Sequence, residues 1–566
     1  MERPSFWVLA IGWSSRVRLP KLTTLRRISQ IIFLLLFLCL LLKTEFRGSL
    51  RTTEADIHMP YPVRIFFQVD PLVALQNALA SRALYHGLLW SLLIIIPTLF
   101  LGRFFCGWIC PLGSVHHYFS SLKSEQKRGK RLMDSNRYKR WQTTKYYLLI
   151  AGLAAALLGS GIIGWLDPIA VLVRSLAVSI LPATNYTLSA ALHALARSHI
   201  APVETIGSIL HFVLGGWLLT FKQLYFSQAT WIGLIFIFLI TLNFRITRFW
   251  CRALCPLGAL LGVISRWSVL GLVNNAEHCR DCDRCLLHCQ GGDDPIGGVR
   301  WRQPECHLCL NCVADCPEGG LQFKFFPAQP SLGADLQRRK VFAGLLAGAA
   351  VVPLLRSAPG LTVERNERLL RPPGALDEEQ FLARCIRCGE CMKVCPNNAL
   401  QPALNESGLE GLWTPVMVAR IGYCETSCVL CSQVCPSGAI WEITAKDKGW
   451  AAGGTPDNKP IRIGTAFYDR GRCLPWTMAT ECIVCEEWCP TSPKAIYLRT
   501  AEVFTADGKS KLVKQPYLDL AHCVGCGACE YACPVQDRPA IYVTSIGESR
   551  SRTNQLLLNQ SKRKPR

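Results

Sequence analysis

The sequence predicts a membrane α-helical bundle joined to two small α+β domains built around cysteine clusters. Three observations predict this. The long apolar runs of the 566-residue chain fall mostly before residue 275. Beyond that point the sequence is soluble in character and punctuated by cysteines. All of the 29 cysteines except Cys39 belong to one of two kinds of motif, one beside apolar runs and one in polar sequence.

Four apolar runs define the bundle, near 28–43, 84–102, 146–166 and 229–244. Each approaches the roughly 20 residues that cross a bilayer as a helix. Arg16, Arg18, Lys21, Arg26 and Arg27 precede the first run, and the basic loop SLKSEQKRGKRLMDSNRYKRWQTTK follows the second. Arg245, Arg248 and Arg252 follow the fourth. By the positive-inside rule these flanks, with an N-terminal segment 1–24, are cytoplasmic. Runs 168–182 and 206–221 are ambiguous as spans, and run 259–273, with Arg266, is expected along the surface. The net charge of +22 is explained by these flanking basic residues, and no nucleic-acid motif accompanies it.

The membrane region, 25–274, contains a repeat. RFFCGWICPLG (103–113) and RFWCRALCPLG (248–258) agree at seven of eleven positions. Upstream, VDPLVALQNALA (69–80) resembles LDPIAVLVRSLA (166–177). Each half therefore reads as a span, an outer Asp-Pro helix, a second span and an inner Cys-x-x-x-Cys-Pro. Cysteines four apart share a helix face, so Cys106, Cys110, Cys251 and Cys255 could supply four thiolates to one metal or cluster. Packing of reduced thiols at span ends is the alternative. Asp70 and Asp167 are candidates for a quinone or proton-transfer site. Asp at N-cap followed by Pro is equally a strong helix start.

The cysteine spacing in the polar sequence is more specific. Cys279, Cys282, Cys285 and Cys289 follow C-x2-C-x2-C-x3-C, and Cys306, Cys309, Cys312 and Cys316 repeat it. This is the bacterial ferredoxin rhythm, in which three thiolates wrap one [4Fe–4S] cubane and the fourth goes to the neighbouring cluster. Cys316 should thus complete the cluster of Cys279, Cys282 and Cys285, and Cys289 that of Cys306, Cys309 and Cys312. Gln290 stands where Pro usually follows. These quartets form a cytoplasmic two-cluster domain, 275–325.

Four further quartets follow, each trailed by Pro: Cys385, Cys388, Cys391 and Cys395; Cys424, Cys428, Cys431 and Cys435; Cys473, Cys482, Cys485 and Cys489; and Cys523, Cys526, Cys529 and Cys533. They occupy a domain over 381–545. Six [4Fe–4S] clusters are expected in all. Zinc, the other ion that four cysteines suit, fits this rhythm less well, and cysteines three apart do not reach disulfide geometry easily. Short pieces such as AIWEI (439–443) and AIYVT (540–544) read as strands beside the clusters. No dinucleotide fingerprint, P-loop or nucleophile with a base is visible.

Between the two cysteine-rich domains lies QRRKVFAGLLAGAAVVPLLR, 337–356. Arg338 and Arg339 before an Ala/Gly-rich apolar run resemble a twin-arginine export signal. Val341 stands where Phe is usual, and no Ala-x-Ala cleavage site follows. The segment reads as an uncleaved internal signal anchor, a fifth crossing that carries a folded domain outward. A linker, 357–380, follows it, and 546–566 is expected to be a basic disordered tail.

These motifs carry a family resemblance. Residues 25–320 resemble the NapH-type membrane ferredoxins of periplasmic nitrate reductase systems, through four spans and the paired CGWICPLG and CRALCPLG. Residues 335–545 resemble the NapG-type four-cluster ferredoxins, through RPPGALDEEQFLARCIRCGECMKVCP (371–396) and CVGCGACEYACP (523–534). The internal signal is then a fusion joint. The resemblance implies a multi-pass protein of the bacterial cytoplasmic membrane, with the first ferredoxin domain inside and the four-cluster domain periplasmic. It implies oxidation of membrane quinol and delivery of electrons to a periplasmic reductase or a multihaem cytochrome. It also implies cluster sharing between the first and fourth quartets of the outer domain and between the second and third. Cys533 would then complete Cys385, Cys388 and Cys391, and Cys489 would complete Cys424, Cys428 and Cys431. The rival function is a redox maturation factor that delivers cytoplasmic electrons to a client metalloprotein without a quinone. One physical problem stands against either: the bilayer core is ~30 Å thick, so something must bridge the inner and outer clusters.

Overall fold

The computed structural model describes residues 20–46, 59, 62–83, 85–124, 129–197, 201–217, 219, 222–279, 282–293, 301–327, 332–357, 366–404, 406–449, 460–504 and 508–555. The N-terminal residues 1–19 and the tail 556–566 lie outside them.

Helix α1 (Pro20–Lys43) is a continuous 24-residue helix. The second expected span is interrupted: a 3₁₀ stretch, His86–Ser91, leads into a ten-residue helix, Leu92–Leu101, with Pro97 inside it. A proline cannot donate to the helical ladder, which accounts for the shortness. The third ends early. Helix α2 (Thr144–Leu157) stops at Leu158-Gly159, and the chain passes through a 3₁₀ turn, Ile162–Leu166, before Asp167 starts helix α3 (Pro168–Ser175). The fourth is Ala229–Thr241 with a 3₁₀ turn after it. Among the described residues only Leu22–Lys43 and Pro168–Ala196 are long and apolar enough to cross a membrane by length and composition. The second of these contains a run that the sequence left ambiguous. A regular bundle of four long spans is therefore replaced by long helices mixed with short ones. The run expected along the surface has one buried and one exposed face: Ala259 and Leu261 are almost fully buried, while Val263, Arg266 and Trp267 are exposed.

Helix α4 (Arg338–Ser357) has 20 residues and so a length of ~30 Å. It runs beside α2 in the same direction. The Gln337 amide donates to the Tyr147 hydroxyl at 3.1 Å near its start, and Arg356 Nη2 donates to the Gly159 carbonyl at 3.2 Å near its end. Small residues allow the approach: a Cβ on Gly348 would stand 2.1 Å from the Ala151 carbonyl oxygen. Its other face is apolar and exposed at Phe342, Leu345, Leu346 and Leu354. Similar exposed faces occur at Ile28, Ile31, Ile32 and Leu35 of α1 and at Trp231, Leu234, Ile235 and Phe238.

The two cysteine-rich domains sit at opposite ends of α4. The inner one is tied by the antiparallel pair β1 (Leu270–Asn274) and β2 (Leu321–Phe325), in register from Leu270↔Phe325 to Asn274↔Leu321. The outer one contains β3 (Leu400–Pro402) paired with β4 (Pro415–Met417), β5 (Thr465–Tyr468) paired with β8 (Ile541–Thr544), and the hairpin β6 (Ile496–Phe504) to β7 (Ser510–Leu518). The expected strand at 540–544 is thus present as β8. The one expected at 439–443 is a single bridge from Ala375 to Ile440, because the Ile440 amide is turned to the Cys435 sulfur at 3.4 Å.

Residues 546–555, expected to be disordered, instead pack as a strap. Arg550 Nη1 lies 2.8 Å from Glu378 and its Nε 2.6 Å from Glu548, while Glu378 also pairs with the fully buried Arg371. Burial opposes the charged carboxylate, but Arg371 and Arg550 together hold the Glu378 pKa down, at about 2 against an ordinary 4.5. A depressed folded-state pKa stabilises above the unfolded pKa and loses that stabilisation as pH falls through the folded one. Glu378→Gln is expected to lower stability at pH 7 by at most about 3 kcal/mol. The gap between variant and parent should shrink between about pH 4.5 and pH 2, as followed by chemical denaturation.

Candidate functional site

Several of the cysteine sets line small cavities. In the inner domain, Cys289 lines one cavity of about 20 Å³ with Cys306, Cys309 and Cys312. That is the set expected from the ferredoxin crossing. The complementary set is positioned by the β1–β2 ladder: the Asn275 amide donates to the Gly320 carbonyl at 2.8 Å, which brings the chain before Cys279 alongside the chain after Cys316.

The outer domain departs from the expected pairing. Cys385, Cys388 and Cys391 share a cavity of about 20 Å³ with Cys435, not with Cys533. Cys428 and Cys431 have Cys424 and Cys395 as charged neighbours. Cys473, Cys482 and Cys485 are joined by Cys533, and Cys523, Cys526 and Cys529 share a cavity of about 20 Å³ with Cys489. The first quartet therefore exchanges its last cysteine with the second, and the third with the fourth. The reason is local. Each short helix delivers its fourth cysteine into the adjoining module, forward along the chain from the first and third quartets and back from the second and fourth. Burial raises the thiol pKa of Cys428 and Cys473, each to about 12. A bound metal must replace those protons to hold the thiolates. Lys448 donates to the Cys424 sulfur at 3.3 Å and to the Cys428 carbonyl at 2.8 Å, placing a cation beside one set.

The two Cys-x-x-x-Cys-Pro repeats meet. Cys106, Cys110, Cys251 and Cys255 line one closed cavity of about 10 Å³ together with Arg103, Gly113, Pro168 and Gly258. The two halves present equivalent sulfurs: Cys110 accepts from the Gly113 amide at 3.4 Å and Cys255 from the Gly258 amide at 3.2 Å. Pro168 in the wall shows that the Asp-Pro helices do not start on the far side from the cysteines, as the sequence suggested. They start beside them.

Asp70 and Asp167 are fully buried helix caps. Asp70 accepts from the Leu72 amide and Asp167 from the Ala170 amide, each at 2.7 Å. The Oδ2 atom of each lacks a donor, and the two carboxyl groups face each other. One shared proton satisfies both. The neighbouring cavity, with Pro168 in its wall, has a volume of about 10 Å³. A cleft of about 1250 Å³ lies at the strap of residues 545–555 and has no cysteine in its wall. Arg338 and Arg339 are exposed at the start of α4.

Sequence reading overlooked several groups around these cavities. Arg26, Arg103 and Arg248 are almost wholly buried, as is His307. Arg103 and Arg248 open the two repeated motifs, so their recurrence was a usable signal. Gly107 sets the approach of the inner domain: a Cβ there would lie 2.1 Å from the His307 carbonyl oxygen. Trp108 Nε1 donates to the Leu308 carbonyl at 3.0 Å beside it.

Comparison with known proteins bears on both halves. Residues 384–439 match a 4Fe-4S dicluster domain, and residues 516–536 a 4Fe-4S binding domain. The dicluster match spans the first two outer quartets, which are those that exchange cysteines here. The methylamine utilization ferredoxin-type protein MauM of Methylorubrum extorquens is 35% identical over 216 residues, 37% of this chain and 86% of the relative. The ferredoxin-type protein NapG of Escherichia coli is 36% identical over 203 residues, 35% of this chain and 80% of the relative. The chain belongs to the MauM/NapG family of ferredoxin-type proteins. Like other members of that family it is an iron–sulfur electron-transfer protein, and the family segment accounts for little more than a third of its length. The helical part has its own likeness. Residues 83–131 and 228–272, which hold the two Cys-x-x-x-Cys-Pro motifs, each match a 4Fe-4S binding domain. The putative electron transport protein YccM of E. coli is 25% identical over 307 residues, 52% of this chain and 73% of the relative. No solved structure matches the chain.

Proposed function

We propose that this MauM/NapG-type chain is a membrane-bound quinol dehydrogenase subunit, a fusion of a NapH-like membrane ferredoxin with a NapG-like one. It takes electrons from membrane quinol and passes them to a periplasmic reductase or multihaem cytochrome. The observation that carries the reading is the placement of the two ferredoxin domains at opposite ends of α4, whose apolar run 341–355 is ~22 Å long as a helix, a thin crossing of a bilayer core of ~30 Å. The apolar exposed faces of α1 and α4 support a lipid belt around the middle.

The 24 ferredoxin cysteines would hold six cubane clusters, which supply one-electron redox capacity. Quinol oxidation releases two electrons and two protons, so the protein accepts a pair and delivers electrons singly. The chain's own residues position these groups. Asn77 Nδ2 donates to the Ser437 carbonyl at 3.1 Å, Arg387 Nη1 to the Gly161 carbonyl at 2.6 Å, and Lys393 Nζ to the Thr44 carbonyl at 2.7 Å. These bonds seat the outer two-cluster module on the helical part.

The test is reduction of the purified, lipid-reconstituted holoprotein by a soluble quinol, followed through the loss of visible iron–sulfur absorption. Reduction that a quinone-site inhibitor blocks supports the reading. Failure of quinol, with ready reduction by a low-potential ferredoxin supplied from the inner side, would overturn it in favour of a maturation factor.

A further inference from the structure

We infer that Tyr423, Trp488 and Tyr531 form the port through which electrons leave the outer domain, and that the port receives a soluble one-electron carrier whose cofactor edge is ringed by basic residues. The inference rests on the proposed reading of the outer domain as the delivering end, and it adds the place of delivery and the charge of the recipient.

The first observation is convergence. The three rings are in mutual contact. The Tyr423 centroid lies 5.7 Å from that of Trp488 and 5.4 Å from that of Tyr531, and the last two are 5.8 Å apart. Each ring adjoins a different cysteine set in the sequence. Tyr423 precedes Cys424, whose set includes Cys395. Trp488 precedes Cys489, which joins Cys523, Cys526 and Cys529. Tyr531 stands two residues before Cys533, which joins Cys473, Cys482 and Cys485. The Cys424 amide donates to the Cys526 carbonyl at 2.8 Å, which holds the first two of these sets side by side. Three of the four outer sets therefore meet at one aromatic patch. The fourth, around Cys385, is the one that enters the core of the helical part, through Ile386 and Cys388.

The second is exposure. Rings that only shielded clusters from water would gain by burial. Trp488 is instead 43% exposed and Tyr531 41%. Trp and Tyr are enriched where proteins meet. A patch of three rings suits the contacts of redox partners, which bury little surface.

The third is charge. Glu487, next to Trp488, is exposed, and Glu425 is a charged neighbour of Tyr423. Glu486 is matched by Lys494 at 2.6 Å, whereas Glu425 and Glu487 have no ion-pair partner among the described residues. Arg420 is committed to four carbonyls, of Glu530, Cys533, Val535 and Gln536, at 2.9 to 3.2 Å. Carboxylates beside apolar rings favour a partner with lysines or arginines around its cofactor, which long-range attraction steers into place. One electron passes from a reduced cluster to the oxidised cofactor of the partner, and no bond is made or broken.

The test is stopped-flow mixing of the anaerobically purified full chain, reduced with dithionite and freed of excess, with ferricytochrome c, a haem protein ringed by lysines. The second probe is the same haem protein with those lysines succinylated. In each reaction ferric haem becomes ferrous at the expense of one electron from the chain. At low salt the native probe should react at least about tenfold faster than the succinylated one, and the difference should shrink as ionic strength rises. Glu487→Lys should slow the native probe by about tenfold and speed the succinylated one, at unchanged iron content. Glu502→Lys, exposed on β6, makes the same change of charge outside the patch and should do neither. Trp488→Ser should slow the native probe at high salt as well as low, because it removes apolar contact rather than charge. Equal rates with the two probes, or equal effects of Glu487→Lys and Glu502→Lys, would overturn the proposal even if Trp488→Ser lost iron. So would self-association of the parent that Trp488→Ser abolishes in sedimentation, since the patch would then belong to a second copy of the chain. Dithionite replaces quinol throughout, so a failed quinol assay would leave these results decisive.

Discussion

Cys435→Ala is expected to remove the same cluster as Cys388→Ala, because both cysteines line one cavity. Each single variant should lose about 4 iron atoms per chain, and the double variant no more than either. Cys533→Ala combined with Cys388→Ala should lose about 8, since Cys533 belongs with Cys473, Cys482 and Cys485. The pairing implied by the family resemblance predicts the reverse, so iron analysis of the four proteins decides between them. The single losses should also loosen the outer module, because ligand sets of this kind form only when the chain folds around its metal. Cys435 and Cys391 lie in the large apolar core of the outer domain, so their cluster is also part of what that core packs against.

Lys145→Met is expected to detach the inner ferredoxin domain from the helical part. Lys145 is fully buried and pairs with Glu305, whose other oxygen accepts from the Tyr146 hydroxyl at 2.9 Å. Arg103 also acts on Glu305, and with Lys145 it pulls that carboxyl below its ordinary pKa against the effect of burial. Removing one partner of a buried pair leaves an uncompensated charge and costs on the order of 3–5 kcal/mol. Thermal unfolding and protease nicking near residue 275 should both shift to milder conditions. Lys145→Met combined with Glu305→Gln should recover much of the loss, since the stranded charge is then gone. A single variant as stable as the parent would show that the pair does not hold the interface.

Much of the chemistry was legible from spacing. The C-x-x-C loops and trailing prolines identify ferredoxin quartets because three thiolates must wrap one cubane within a short turn. The crossing between Cys289 and the Cys306 set also follows, since with two quartets there is one neighbour to cross to. With four quartets there are several, and which modules touch depends on packing such as that of Leu400 and Met417 in β3 and β4. The span pattern was less legible. Hydropathy marked the apolar runs, but Pro97 and the Gly159-Ser160-Gly161 break shorten two of them. Run 259–273 carries Arg266, which suggested a surface helix; its Ala259 and Leu261 are core residues, and its Val263, Arg266 and Trp267 are exposed.

What the sequence by itself determined is the inventory: 24 cysteines in ferredoxin rhythm, two repeated Cys-x-x-x-Cys-Pro motifs, and an apolar segment between two cysteine-rich domains. Those are local properties, set by spacing and hydropathy along a few residues. Only the tertiary structure decided which cysteines share a cavity, that the two repeats close on each other, and that the Asp-Pro helices begin beside them. It also revealed that Arg103 and Arg248 converge there, Arg248 on the Cys106 carbonyl. Each of these brings together residues far apart in the chain, and the choice among them is made by close packing and by the cost of buried charge, neither of which a short stretch of sequence records.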